Sequence, residues 1–280
     1  MFKIVNKKFL NPTVVMMDIE APFVANKAQP GQFIILRVDS EGERIPLTVA
    51  GFDRKNGLVK IIFQVVGSTT EKLKHKEAGE YIEDFVGPLG KETETENVKN
   101  AIVVGGGVGC AIAHPVAQKL YDEGAHVTNI IGFRNKDLVI LEDEFKACSN
   151  EFHVMTDDGS YGEAGNVCVP LEKLLASGKK FDKIYAIGPL VMMKFVVMTA
   201  KKYNVPCIVS MNPIMIDGTG MCGCCRLMVD GEMKFACVDG PDFDGYKVNF
   251  DEMMQRNRIY ADFERHAYEE TCNLFKKEVK

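Results

Sequence analysis

The sequence predicts an N-terminal antiparallel β-barrel, then a parallel, doubly wound α/β domain, then a C-terminal cysteine-rich loop and helix. Three observations predict this. Residues 1–97 read as short strands punctuated by turns. From Ala101 onward apolar strands alternate with helical stretches, the pattern of a parallel sheet covered by helices. Between Met211 and Cys237 four cysteines crowd a glycine-rich stretch that makes a poor core. The expected divisions are 1–97 (barrel), 98–210 (α/β domain), 211–250 (cysteine-rich segment) and 251–280 (helical tail).

In the first region the expected strands are Phe2–Lys8, Thr13–Glu20, Phe33–Val38, Ile45–Asp53 and Leu58–Val66, broken at Pro12, Pro22, Pro30-Gly31, Asn56-Gly57 and Gly79. A short helix is expected over Glu71–Lys76, with Ser68-Thr69-Thr70 as its N-cap region. In the second region the run Ala101–Gly109 reads as a strand ending in glycines, followed by a helix over Ile112–Glu123. Strands His126–Phe133, Phe152–Thr156, Lys183–Ile187 and Cys207–Ser210 alternate with helices Glu142–Ala147, Pro170–Ala176 and Met192–Lys202. The tail carries Met253, Met254, Ile259, Tyr260, Phe263, Ala267, Tyr268 and Phe275 at helical spacing, which suits either a helix on its own domain or a docking helix for a partner.

Composition narrows the function classes. The chain has 280 residues, 46% hydrophobic and 26% charged, as a globular protein of about two domains has. A net charge of −5 gives no reason to expect nucleic acid or an anionic membrane. No apolar run approaches the roughly 20 residues that span a bilayer. Met1 leads straight into a strand without a leader, and nine cysteines are an odd number, so reduced thiols in a cytoplasm are expected.

The cysteine-rich segment contains Asp217-x4-Cys222-x2-Cys225-x11-Cys237. That spacing is the one plant-type [2Fe–2S] proteins use, with Asp217 standing where the first cysteine would be. The expected metal ligands are therefore Asp217, Cys222, Cys225 and Cys237, with Cys224 or Cys207 next in line if the aspartate does not ligate. The glycines at 218, 220 and 223 suit a loop that must bend sharply around a cluster. Structural zinc is the blander reading, but a second Cys-x2-Cys is missing.

Two further sites read as nucleotide binders. Arg44, Pro46, Leu47 and Thr48 lie on one expected barrel strand, and Val65, Gly67, Ser68 and Thr69 lead from another strand into a helix start. Free N–H groups at a helix N-terminus and a forked guanidinium suit a pyrophosphate, and Thr48 suits the N5 edge of a flavin, so FAD is expected here. Gly105, Gly106, Gly107, Val108 and Gly109 form a strand-to-helix phosphate turn, with Cys110 following. Asp157, Asp158 and Gly159 end one strand, and Gly188, Pro189 and Met192 end another, on the carboxyl edge where such sheets bind ligands. The three turns together point to NAD(H). The five histidines show no ligand spacing and no Ser/His/Asp arrangement is evident, so the chemistry belongs to cofactors.

Arg44–Thr48, the glycines at 105–109 and Gly188-Pro189 with Met192-Met193 resemble the ferredoxin reductase family. The cluster loop narrows this to relatives of the dihydroorotate dehydrogenase electron-transfer subunit. The run 211–252 is similar to the small (beta) subunits of NADH-dependent reduced-ferredoxin:NADP oxidoreductases, also called sulfide dehydrogenases. The resemblance covers residues 1 to about 252. It implies FAD in the barrel, NAD(H) on the second domain, and a [2Fe–2S] cluster with Asp217 as a carboxylate ligand. It also implies a larger flavin and [4Fe–4S] partner, similar to a glutamate synthase small subunit, through which ferredoxin and NADP react in electron bifurcation. A dihydroorotate-type subunit would show four cysteines. Ile187 departs from the cysteine that many ferredoxin reductases place before Gly-Pro. A non-catalytic redox-sensing or zinc module is the alternative of another class.

Overall fold

The computed structural model describes residues 1–278. Residues 2–89 build one antiparallel sheet from β1 (Phe2–Asn11), β2 (Val14–Glu20), β3 (Phe33–Arg37), β4 (Arg44–Asp53), β5 (Leu58–Gln64), β6 (Tyr81–Ile82) and β7 (Asp84–Leu89), with helices α1 (Pro22–Lys27) and α2 (Ser68–His75). Its order, β6-β1-β2-β5-β4-β3-β7, curls into a nearly closed barrel, because the edge strands β6 and β7 are consecutive in the chain. Alternation decides what fills it. Ile34 and Leu36 of β3 and Val49 of β4 point into the barrel core with Ile19, Ile61 and Phe63.

Sequence spacing missed three of these elements. Helix α1 begins at Pro22, whose fixed φ suits the first helical turn; β6 is only two residues long and β7 is interrupted by Gly87-Pro88, so neither alternates clearly. Helix α2 starts at Ser68, three residues before the expected Glu71. Thr70 Oγ1 accepts from the N–H groups of both Val66 and Gly67 at 3.0 Å, so the threonine caps the helix from inside its first turn.

The second sheet is β11-β10-β9-β8-β12-β13-β16. Its strands are β8 (Asn100–Gly106), β9 (His126–Phe133), β10 (Glu151–Thr156), β11 (Glu163–Ala164), β12 (Lys183–Ile187), β13 (Cys207–Ser210) and β16 (Asp242–Asp244). All pairings are parallel except the last. Helices α3 (Cys110–Asp122), α4 (Glu142–Ala147), α5 (Cys168–Ala176) and α6 (Leu190–Lys202) connect the strands. Both faces are buried: Ile102, Val104 and Ile184 meet α5 and α6 on one side, while Val103, Val127 and Ile131 meet α3 and α4 on the other.

The cysteine-rich segment, expected as a loop, carries a hairpin, β14 (Arg226–Val229) with β15 (Glu232–Phe235), and contributes β16 to the sheet edge. Asp230-Gly231 turns the hairpin with φ of 55° and 76°, as a two-residue turn of the primed kind needs. The tail is two helices, α7 (Phe250–Arg256) and α8 (Ala261–Glu278). Helix α8 lies against α2 of the barrel rather than against the α/β domain. The last two residues of the expected tail, 279–280, lie outside the described residues. No helix among the described residues is long and apolar enough to cross a membrane.

Candidate functional site

The barrel strand that carries Arg44 has two faces. Cross-strand pairs put Arg44 opposite Arg37, Pro46 opposite Ile35 and Thr48 opposite Phe33. Residues directly opposite share a face, so Arg44, Pro46 and Thr48 stand on the outer face with Phe33 and Ile35. Leu47, like Val65, packs toward the barrel interior, leaving only its backbone to a ligand. Arg44 is exposed and lies 3.7 Å from Asp84, which is itself held by Arg37 at 2.7 Å. The Arg37 guanidinium, with burial opposing it, holds the Asp84 carboxyl below the usual range. At the start of α2, Thr69 is buried and Ser68 bonds a residue of α8, so the turn presents backbone N–H groups rather than hydroxyls.

The cluster loop lies on that same outer face. Gly218 takes φ +84°, and a Cβ there would stand 2.8 Å from Leu89 and 2.9 Å from Ile35. Phe33 and Ile35 belong to one continuous core with Met215, Cys225, Cys237 and Phe243. The face bearing Arg44, Pro46 and Thr48 and the loop bearing the cysteines are thus packed together through Ile35.

Within the loop, Cys225 and Cys237 are buried, with their sulfurs 3.1 Å apart. Two thiolates on one tetrahedral metal, at bonds of about 2.3 Å, sit about 3.8 Å apart, so a small spreading suits one iron. Cys222 is exposed, and its thiol is lowered, first by the Cys224 N–H. Burial pushes Cys237 up to about 12, so a metal must displace its proton. Asp217 Oδ2 accepts from Thr219 Oγ1 at 2.7 Å, Thr219 N at 2.9 Å and Met221 N at 3.1 Å. The Thr219 bonds, then that of Met221, and last the charge of Arg44 hold this carboxyl below its ordinary value. A carboxylate so fixed by Oδ2 keeps Oδ1 available. Among the described residues no three His, Cys, Asp or Glu converge on a single ion. The donors a cluster in this loop would use are the buried sulfur pair of Cys225 and Cys237 and the exposed Cys222, which lies against the Asp217 backbone N–H. Cys224 hydrogen-bonds Cys222 and stays near the loop, whereas Cys207 is buried at the opposite end of β13 from it.

At the carboxyl edge of the second sheet, β8 and β12 are neighbours. Their turns touch: a Cβ on Gly109 would stand 2.6 Å from the Gly188 Cα. Gly106 is covered by Met192 Sδ and Pro189, and burial drives the Cys110 thiol up, making it an inert packing group. Gly105 and Gly107 complete the first turn, with Val108 half-buried beside them. Ile187 ends β12 buried, so no thiol faces this edge from that position. Asp157, Asp158 and Gly159 follow β10, two strands from β8, or about 10 Å along the edge. Ser160 N and Oγ hold the Asp158 carboxyl low. Between them the end of β9 brings in Arg134 and Asn135, which spacing alone did not single out. Asn135 Oδ1 is enclosed without a partner among the described residues, a signal visible only in three dimensions.

Comparison with known proteins places the chain in a family. Residues 212–249 match the iron–sulfur cluster binding domain of dihydroorotate dehydrogenase B. A dihydroorotate dehydrogenase B (NAD(+)) electron transfer subunit homologue of Thermotoga maritima is 46% identical over 267 residues, 95% of this chain and 94% of the relative. The chain belongs to the dihydroorotate dehydrogenase B electron-transfer subunits and their homologues. Within this family of oxidoreductase subunits, a subunit of a solved NADH-dependent reduced ferredoxin-NADP oxidoreductase, studied for flavin-based electron bifurcation, superposes with a TM-score of 0.90. It is 43% identical, over 96% of this chain and 97% of that one. The ferredoxin reductase of carbazole 1,9a-dioxygenase, 17% identical, superposes at 0.63 over 73% of this chain and 65% of its own, which shows the fold alone.

Proposed function

We propose that this electron-transfer subunit binds FAD on the barrel, NAD(H) on the α/β domain and a [2Fe–2S] cluster at 211–250, with 251–280 as a tail. The observation that carries the reading is the meeting of two predicted sites on one face. Ile35, beside Pro46 on the barrel, is also the residue against which Gly218 of the cluster loop lies. When bound, FAD and the cluster supply hydride acceptance and single-electron carriage respectively.

The chain's own residues place these groups. Arg44 and the N–H groups at the start of α2 hold a pyrophosphate, and Thr48 faces the flavin edge. The turns at Gly105–Gly109 and Gly188–Met192 hold the dinucleotide phosphates, with the Asp157–Gly159 turn on the same edge. Asp217, Cys222, Cys225 and Cys237 ligate the irons, and the apolar packing of Phe33, Ile35 and Leu89 excludes water between barrel and cluster.

The larger partner in this reading is a flavin and [4Fe–4S] subunit similar to a glutamate synthase small subunit. Through it, electrons from NADH and reduced ferredoxin reach NADP. The second reading, a dihydroorotate-oxidising partner, is favoured by the match at 212–249. Anaerobic purification tests the assignment: flavin and [2Fe–2S] absorbance with NADH-dependent bleaching is expected, and a colourless chain that takes up neither group overturns it. Affinity capture from the native cell separates the two partners.

A further inference from the structure

The C-terminal helix α8 reaches back some 200 residues to grip α2 at both ends. At the first residue, Ser68 Oγ lies 2.7 Å from Thr271 Oγ1. Thr271 Oγ1 also lies 2.9 Å from the Ala267 carbonyl. A carbonyl only accepts, and a hydroxyl has one proton, so Thr271 donates to Ala267 and Ser68 must donate to Thr271. At the last residue, the rings of His75 and Phe275 stack at 3.9 Å and 16°. Thr271 is only 6% exposed, so its bond to Ser68 is shielded from competing water.

This fixes what the start of α2 presents. Val66 and Gly67 spend their N–H groups on Thr70 Oγ1, and Glu71 N bonds Gly67 O. The N–H groups of Ser68, Thr69 and Thr70 have no acceptor among the described residues, as the first turn of a helix leaves them. The Ser68 hydroxyl, its proton committed to Thr271, has nothing left to donate to an anion, so only the backbone N–H groups remain for one.

We propose that α8 is a strap that sets the flavin-binding turn of α2, with Thr271 as a positioning residue acting through Ser68. It rests on the flavin reading above. The pyrophosphate is taken by three backbone N–H groups, and Ser68 serves to hold them in place. Loss of α8 docking then releases FAD without touching any flavin ligand.

The test uses the full-length holoprotein, with FAD release followed by the rise of free-flavin fluorescence after dilution. Thr271→Val is expected to speed release about three- to ten-fold, the range one net hydrogen bond commands. Thr271→Ser, which keeps the hydroxyl, restores the wild-type rate. Ser68→Ala should match Thr271→Val, and the double variant should be no faster than either, because both break one bond. Phe275→Ala, at the other end of the grip, should act in the same direction if the valine variant folds poorly. A wild-type rate in both Thr271→Val and Phe275→Ala overturns the strap. So does failure of the serine to rescue. A Ser68→Ala effect that adds to Thr271→Val overturns it too, by making Ser68 a direct phosphate ligand. A wild-type chain that binds no FAD at all overturns the flavin reading instead.

Discussion

In the cluster loop the groups proposed to matter are side chains: three thiols and a carboxylate at fixed spacing, with glycines bending the chain around them. At the nucleotide edge the glycines themselves are the surface. The turns after β8 and β12 approach until Gly109 and Gly188 leave no room for a side chain between them. The first site fails when a ligating atom is removed, the second when an atom is added. That difference can be broken from either side by single substitutions.

The largest effect is expected from the buried thiol pair. Cys237→Ser replaces the soft thiol of a proposed ligand, whose sulfur lies 3.1 Å from that of Cys225. Iron content should fall to background while FAD is retained, because the barrel core is untouched; full iron with an unchanged visible spectrum would remove Cys237 from the ligand set. Gly109→Ala tests the other side. Its methyl meets backbone, which cannot swing away as a side chain can. Overpacking of this kind costs about 1–3 kcal/mol, so the KM for NADH should rise about ten-fold or more with iron and flavin contents unchanged. A KM equal to wild type would separate the two glycine turns from nucleotide binding.

Asp217→Cys lies between these extremes. If Asp217 ligates as proposed, the variant swaps an oxygen ligand for sulfur, so a cluster should persist with a shifted midpoint potential and an altered EPR spectrum. An identical redox titration would mean that Asp217 only shapes the loop through Thr219 and Met221, and attention would pass to Cys224.

These sites differ too in how much the sequence revealed. The iron–sulfur segment was legible from its thiol spacing, and the domain match over 212–249 falls on it. The βαβ alternation was plain because buried parallel strands are continuous apolar runs, as in Ile102–Val104. The Asp230-Gly231 hairpin carried its own turn signal, but the metal motif around it drew the reading toward a loop. The docking of α8 on α2 was not legible. It depends on Ser68 and Thr271, polar residues far apart in the chain, and no periodicity reports such a pair. The same holds for the meeting of Ile35 with Gly218, which required both the register of β3 on β4 and the path of the loop.

A third such meeting joins the regions and gives the smallest effect. Asp242 on β16 takes a 2.5 Å hydrogen bond from Thr93, in the connection between the two sheets, and is bonded by Ser210 at the end of β13. Its Oδ1 is enclosed without a partner among the described residues. Burial raises this carboxyl above its ordinary value, against the opposing hydrogen bonds of Thr93 and Ser210. The folded chain therefore holds the proton more tightly than the unfolded one. Unfolding free energy must fall as pH rises from the ordinary carboxylate range to the raised value, and level off above it. Asp242→Asn cannot ionise and keeps the shape. Its urea midpoint relative to wild type should climb from mildly acid to neutral pH, while the cluster spectrum and the KM for NADH stay as they were. A constant difference would mean that Asp242 titrates alike in both states, and that the junction of linker, sheet and cluster segment holds its carboxylate without penalty.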